Sequence, residues 1–162
     1  MKKKVLTLTI SKQWFDMILS GEKTEEYMWI KPYWVARLFQ FNSNIFDMRY
    51  IASVLEGRTD LLKRYIYIQR IVWKPFTHVI FINGYRKDST RIEKEIESIT
   101  IGKPKKGLCP DKWLDTEFFI IKFKSRMTNK DFFKTYRGKP VLYKKKILAH
   151  MWLGILRISI LS

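Results

Sequence analysis

The sequence is poor in the residues that build disulfides and metal sites. Cys109 is the one cysteine among 162 residues, which excludes an internal disulfide and any cysteine-rich zinc site. The two histidines, His78 and His150, have no cysteine or carboxylate partner at metal-ligand spacing. We therefore predict no metal and no cofactor. A single thiol also fits a reducing compartment.

Long apolar runs and common catalytic motifs are absent as well. The most apolar segment, "ILAHMWLGILRISILS", is interrupted by His150 and Arg157. It falls short of the ~18 apolar residues that a membrane-spanning helix needs. The early run "VLTLTI" is too short and too rich in threonine for a signal peptide. There is no P-loop, no dinucleotide fingerprint and no nucleophile elbow. We predict a cytoplasmic protein without a membrane partner.

Acidic residues are few: 15 carboxylates face 32 lysines and arginines, for a formal net charge of +17. Such a surface attracts polyanions, of which nucleic acid is the usual one. The lysines predicted to supply this attraction are Lys103, Lys105, Lys106, Lys144, Lys145 and Lys146. An AT-rich genome would encode the same composition, so charge alone leaves nucleic-acid binding and a merely solvated surface equally open.

Hydrophobic periodicity predicts strands and helices in the first 40 residues. "KVLTLTI" alternates and predicts a strand over Val5–Ile10. Ser11 can cap a helix that Gly21 ends. "TEEYMWI" predicts a second strand, and Pro32 suits the first turn of another helix, "YWVARLFQF".

The rest of the chain predicts an α+β protein with an insertion and an extension. Residues 42–75 combine helical spacing with "RYIYIQRIVW", which alternates like a strand, so we treat them as an insertion. "FTHVIFINGY" and "EFFIIKF" predict core strands, whereas "RIEKEIESITIG" fits either a helix or a strand. Residues 126–162 end in "RISIL" and predict a C-terminal extension packed on the domain formed by residues 1–125. Short strands without a βαβ rhythm favour an α+β fold or a small barrel.

The segment "ILSGEKTEEYMWIKPYW" places charges between a helix end and a row of aromatic residues. Strand alternation would put Thr24 and Glu26 on one face, with Lys23, Glu25 and Tyr27 on the other. A lysine beside a carboxylate in a cleft could be a tuned acid–base pair. It could equally be a surface ion pair worth under ~1 kcal/mol. The spacing alone favours the surface pair.

Two blocks of the sequence resemble ASCH-domain proteins, relatives of the PUA-like barrels. "LTLTISKQWFDMILSGEKTEEYMWIKPYW" resembles the start of that family, whose motif Gly-x-Lys-x-x-Glu-x-Arg is matched by Gly21, Lys23 and Glu26. "THVIFINGYRKDSTRIEKEIESITIGKP", followed by "EFFIIKF", is similar to later strands of phage and bacterial members, including their Asn-Gly-Tyr turn. The two blocks cover a little under half of the chain.

The resemblance implies a PUA-like small β-barrel with flanking helices, in which "RIEKEIESITIG" is a strand. It also implies a cleft for RNA or a nucleotide-like ligand. The candidate ligand-binding residues are Lys23, Thr24, Glu26, Tyr27, Tyr33, Arg37, Asn83 and Tyr85. Binding of RNA, single-stranded nucleic acid or a nucleotide is the favoured function.

Two alternatives follow from the same resemblance. Some small members hydrolyse acylated cytidine and others are linked to RNA cleavage, which makes Lys23 and Glu26 the catalytic candidates. The chain departs from the motif: Met28 stands at the arginine position, and Thr24 is offset by two from the threonine position, which Glu26 occupies. We also expect nearby carboxylates to keep Lys23 charged, and Lys23 to lower the pKa of Glu26, which argues against catalysis. The third possibility is a phage-encoded protein that blocks a host defence factor in the host cytoplasm.

Overall fold

The computed structural model describes residues 2–42 and 47–124. Within these residues the fold is α+β, as predicted, with a five-stranded mixed sheet, a two-stranded sheet and four α-helices. The elements in chain order are β1 Val5–Ile10, α1 Lys12–Ser20, β2 Glu25–Trp29, α2 Pro32–Leu38, β3 Phe39–Phe41, α3 Met48–Val54, α4 Thr59–Tyr67, β4 Ile71–Trp73, β5 His78–Asn83, β6 Arg91–Gly102, a 3₁₀ turn Asp111–Trp113 and β7 Phe118–Phe123.

The unit β1–α1–β2 forms as its sequence predicts. Alternate residues of β1 enter the core, and Leu6 and Leu8 are buried. Ile18 and Leu19 follow Phe15 by three and four residues on α1. This spacing puts the three side chains on one face of the helix, and all three are buried. Gly21 ends α1 in the left-handed conformation, with φ of 86°.

The main sheet has the order β1-β5-β6-β7-β2, with β1 parallel to β5 and all other pairs antiparallel. Strand β6 is 12 residues long and changes register between Ile96 and Ser98. That bulge lets one strand pair with β5 in its first half and with β7 in its second, and bulges bend a strand. The ambiguous segment is therefore a strand. In the described ranges β1 and β2 are the sheet edges, and no closed barrel is formed.

Helix α2 connects the two edges of the main sheet. It starts directly after β2, with Pro32 in its first turn. At its other end the Arg37 Nη2 donates a hydrogen bond to the Thr7 carbonyl of β1 at 2.5 Å. Val35 and Leu38 of the helix are buried. The helix therefore follows one edge strand, β2, and is hydrogen-bonded to the other, β1.

The segment from α2 to β5 corrects two predictions. The predicted helix "YWVARLFQF" ends at Leu38, and its last three residues, "FQF", form β3. "RYIYIQ" is not a strand, because α4 continues to Tyr67 and the strand β4 begins only at Ile71. The alternation does not bury one face: Leu62 is buried, whereas Tyr67 and Ile68 are exposed. Gln69, with φ of 55°, turns the chain toward β4.

The two-stranded sheet shares the core of the main sheet. Strands β3 and β4 pair antiparallel, which places Phe39 opposite Trp73. Their ring centroids are 4.0 Å apart, and Phe39 is 5.7 Å from Phe119 of β7. The predicted insertion thus packs on the core through these rings. The predicted extension, residues 126–162, lies outside the described residues.

Candidate functional site

Lys23 is a buried lysine in the turn between α1 and β2, with 2% of its surface exposed. Its Nζ donates a hydrogen bond to the Leu108 carbonyl at 2.6 Å and lies 3.9 Å from Glu26 Oε2. The same Nζ is 4.5 Å from the centroid of the Trp14 ring and 4.7 Å from that of Tyr27. The prediction of a surface ion pair is therefore wrong.

Lys23 and Glu26 approach each other because Lys23 precedes the strand. Strand β2 begins at Glu25, and the Lys23 amide still donates to the Met17 carbonyl of α1 at 2.9 Å. The chain is wrapping around the helix end at this point, so strand alternation does not apply to Lys23. The prediction that Lys23 and Glu26 lie on opposite faces is corrected for this reason.

The Glu26 carboxylate is 6% exposed and only half satisfied. Its Oε1 accepts a hydrogen bond from the Tyr27 amide at 3.1 Å. Its Oε2 is buried without a hydrogen-bond partner in the part of the chain that the structure describes. A buried oxygen of this kind normally costs free energy unless a ligand or water satisfies it.

Burial shifts the pKa of both members of the pair. Desolvation lowers the pKa of Lys23, although Glu26 acts in the opposite direction. Desolvation also raises the pKa of Glu26, although Lys23 and the Tyr27 amide act against it. The expectation that neighbouring carboxylates would prevent the Lys23 shift, and that Lys23 would lower the pKa of Glu26, is wrong because desolvation outweighs both interactions.

A second polar cluster fastens the loop after β6 to β2. The Tyr27 hydroxyl donates to Glu25 Oε2 at 3.0 Å and accepts from the Lys105 amide at 3.2 Å. Lys105 Nζ binds Glu25 Oε1 at 2.5 Å. Burial raises the pKa of the Tyr27 hydroxyl. Together with the bond from Lys23 to Leu108, these contacts hold the loop as a wall beside the ion pair.

The result is a half-open cleft of about 180 Å³ with Lys23 and Glu26 at its base. Its other lining residues are Trp14, Tyr27, Trp29, Leu108, Cys109, Pro110, Trp113 and Phe118. Trp29 is 39% exposed, and its ring meets that of Trp113 edge-on at 4.6 Å. Sites for drug-sized ligands span roughly 300–1,000 Å³, so this cleft admits one ring rather than a whole nucleotide.

Of the candidate ligand residues, the structure brings together Lys23, Glu26 and Tyr27. Thr24 is half-buried and does not line the cleft. Asn83 ends β5, which β6 and β7 separate from β2, and Tyr85 is 94% exposed in the turn that follows. Neither lines the cleft.

Two other candidates, Tyr33 and Arg37, lie on α2 beside a different depression. Of the candidate lysines, Lys103 forms an ion pair with Asp115 at 3.1 Å, Lys105 pairs with Glu25, and Lys106 is exposed. Lys144, Lys145 and Lys146 lie outside the described residues.

The sequence analysis missed the wall that the loop contributes. Leu108 and Trp113 belong to "GKPKKGLCPDKW", whose glycines and prolines indicated only a loop. Gly107 adopts a φ of 82°, which lets the chain turn back toward β2. Trp14 lies on α1, and nothing in the helical spacing indicates that its ring faces Lys23.

No group of three or more histidine, cysteine, aspartate or glutamate side chains in the described residues could hold a metal ion. None of the helices in residues 2–42 and 47–124 combines the length and apolar character that crossing a membrane requires. No protein-family model, curated protein or solved structure matches this chain. The geometry of the cleft is therefore the basis for assigning a function.

Proposed function

We propose that this protein binds a base of RNA, of single-stranded nucleic acid or of a nucleotide in the cleft at Lys23 and Glu26. The observation that carries the proposal is the buried Oε2 of Glu26, which lies 3.9 Å from the Lys23 ammonium and has no hydrogen-bond partner among the described residues. We propose further that the fold is the PUA-like fold of the ASCH domain, with the sheet open between β1 and β2 in the described residues. The long, bulged β6 and the hydrogen bond from Arg37 of α2 to Thr7 of β1 support this assignment.

The ion pair offers a donor next to an acceptor. Lys23 carries three N–H donors and uses one on the Leu108 carbonyl, and Glu26 Oε2 can only accept while ionised. The hydrogen-bonding edge of a nucleobase likewise places an acceptor next to an N–H donor. A base edge entering the cleft would accept from Lys23 and donate to Glu26, which would satisfy the buried oxygen.

The walls of the cleft suit a flat ring. Trp29, Trp113 and Tyr27 face it, and base–aromatic stacking contributes ~1–3 kcal/mol per base. The small volume would leave the sugar and phosphate outside, where a formal net charge of +17 attracts them. Recognition would therefore combine a selective base contact with a sequence-independent attraction to the backbone.

The proposal is tested by titrating a labelled single-stranded RNA at several salt concentrations. We expect binding at low salt that weakens as salt rises, with a log–log slope steeper by ~0.7 for each phosphate neutralised. Absence of binding at low salt would refute the proposal. A flat salt response would remove its electrostatic part.

A hydrolase acting on a modified nucleoside or on RNA is the second candidate. The lowered pKa of Lys23 and the raised pKa of Glu26 favour it, because each shift moves the group toward the range of general acid–base catalysis. Met28 opposes it, since a thioether cannot stabilise an oxyanion as an arginine does, and Thr24 does not line the cleft. A host protein target stays a prediction that these observations do not address.

The two candidates are separated by incubating the protein with N4-acetylcytidine, and separately with a labelled RNA, while products are followed. We expect binding without turnover. A rate above ~1 per second, a low but ordinary enzymatic value, would contradict this expectation if it disappears in Lys23→Ala. Lys63→Ala is the control: it breaks only the exposed pair with Glu117, so any turnover that is observed should persist in this variant.

A further inference from the structure

A second depression, of about 440 Å³, lies beside α2 and α3. It is lined by Pro32, Tyr33, Ala36, Arg37 and Arg49. Two of these five residues are arginines and none is acidic. The depression shares no lining residue with the cleft at Lys23.

Arg37 is held in place at the wall of this depression. Its Nη1 donates to the Tyr33 hydroxyl at 2.6 Å, and its Nη2 donates to the Thr7 carbonyl at 2.5 Å. The guanidinium carbon lies 5.8 Å from the Tyr33 ring centroid and 5.3 Å from that of Trp34. A guanidinium has five N–H donors, so two hydrogen bonds orient it and leave donors for an acceptor from solvent.

Positive charge concentrates around the depression. Lys74 Nζ donates to the Ala36 carbonyl at 2.7 Å, and burial together with the nearby Arg37 lowers the pKa of Lys74. Arg49 has an 88% exposed side chain and forms an ion pair with Asp47, but its Nε lies 3.9 Å from Asp47 Oδ1, too far for a hydrogen bond, so its side-chain N–H donors are not used by that carboxylate. Lys74 does not line the depression, but it places a further positive charge near Arg37.

An exposed ring completes the site. Tyr33 is 61% exposed, and its ring meets that of Trp34 edge-on at 4.9 Å. Arginines beside an open aromatic face are the combination that binds single-stranded nucleic acid, by phosphate contact and base stacking. A free inorganic anion would not use the ring.

We propose that this depression is a second subsite for the nucleic-acid strand that binds in the cleft. One base of the strand occupies the cleft, while the depression binds a phosphodiester group of that strand and stacks another of its bases. The inference rests on the proposed function. Trp29 of the cleft and Tyr33 of the depression are four residues apart, so their Cα atoms are at most about 14 Å apart. At ~3.4 Å per stacked nucleotide, about four nucleotides span that distance.

The test compares the four homohexameric ribonucleotides with the corresponding nucleoside monophosphates by calorimetry. The test variant, Tyr33→Ala/Arg49→Gln, removes the exposed ring and one arginine of the depression. The matched control, Tyr67→Ala/Arg64→Gln, makes the same changes on α4, where Tyr67 is 87% exposed. The Tyr33→Ala change also removes the hydroxyl that accepts a hydrogen bond from Arg37 and could displace Arg37. The single variant Arg49→Gln keeps this hydroxyl and therefore tests the arginine by itself.

We expect the test variant to bind the hexamer about fivefold to 150-fold more weakly than the unmodified protein, because a stacked base is lost. Its log–log salt slope should fall by ~0.7, and Arg49→Gln alone should show the same fall in slope. Its affinity for the monophosphate, and the control's affinity for both probes, should stay within about twofold.

Three other outcomes would refute the second subsite. If the monophosphate binds but the hexamer binds no more tightly, or if test and control variants behave alike, the second subsite is refuted while the proposed function stands. If neither probe binds, the proposed function fails and the subsite falls with it. Displacement of the hexamer by hexaglutamate at similar concentration would show a general anion surface and overturn the inference.

Discussion

Lys23→Met is expected to lower the free energy of unfolding by up to about 3 kcal/mol at pH 7, the full figure being an upper bound because the pKa of Glu26 is already raised in the unmodified protein. The substitution leaves Glu26 buried beside apolar groups with no cation 3.9 Å away, so the carboxyl must take up a proton in the folded state. The ordinary pKa of this carboxyl is 4.5, which is ~2.5 units below pH 7. Protonating the carboxyl at pH 7 costs about 1.4 kcal/mol for each of these units. The sum agrees with the ~3–5 kcal/mol typical of a broken buried pair.

The loss should depend on pH with a definite sign. A carboxyl whose folded pKa is raised contributes stability below its unfolded pKa and loses it as pH rises. In Lys23→Met the stability should therefore fall by about 1.4 kcal/mol per pH unit above 4.5. The stability of the unmodified protein should also fall as the pH rises above 4.5, but it should stop falling at a lower pH than in Lys23→Met. The reason is that Lys23 acts to lower the pKa of Glu26. The part of the difference that comes from Glu26 should nearly vanish near pH 4.5, which leaves only the pH-independent effect of losing the Lys23 contacts.

Urea unfolding of both proteins between pH 4.5 and 8 provides the measurement. Lys63→Met is the matched control, because its pair with Glu117 is similar in chemistry but exposed and should cost under ~1 kcal/mol. Adding Glu26→Gln to Lys23→Met should recover much of the loss, since a neutral amide replaces the stranded carboxyl. A loss below ~1 kcal/mol at pH 7, or no recovery in the double variant, would contradict the buried-pair interpretation.

The sequence was informative where local patterns determine structure. The β-branched alternation of β1, the glycine that ends α1 and the apolar run of β7 each act within a few residues, and these elements form as predicted. The pattern "RYIYIQ" misled because alternation is evidence for a strand only when one face is buried. Here the buried residue is Leu62 and the tyrosines are partly or fully exposed.

The site was harder to predict because it depends on contacts between distant residues. Lys23 is buried by Leu108, which lies 85 positions away, so spacing along the chain could not distinguish it from a surface lysine. Its pKa direction was mispredicted for the same reason, since only tertiary burial supplies the desolvation. The resemblance implied one cleft for Lys23, Glu26 and Asn83. The structure brings Lys23 and Glu26 together, but the order of strands in the sheet separates Asn83 from them.

Trp29→Ala is expected to weaken binding of a ribonucleotide by about fivefold to 150-fold. Trp29 is the most exposed ring of the cleft, at 39%, and Trp113 and Phe118 hold it at 4.6 and 4.7 Å. A ring that is already ordered loses little freedom when a base stacks on it, so the ~1–3 kcal/mol of stacking appears as affinity. Trp29→Phe keeps a flat ring and should retain most of the binding. Calorimetric titration with the hexameric ribonucleotides measures both.

The matched control for this prediction is Tyr85→Ala, which removes a ring that is 94% exposed and does not line the cleft. It should leave affinity unchanged, whereas the resemblance grouped Tyr85 with the ligand-binding residues. If Tyr85→Ala weakens binding and Trp29→Ala does not, the bases bind at the turn after β5 instead, and the cleft is a structural site. If Trp29→Ala alone weakens binding with an unchanged salt slope, the lost contact is a stacked base, because loss of a phosphate contact would lower the slope by ~0.7.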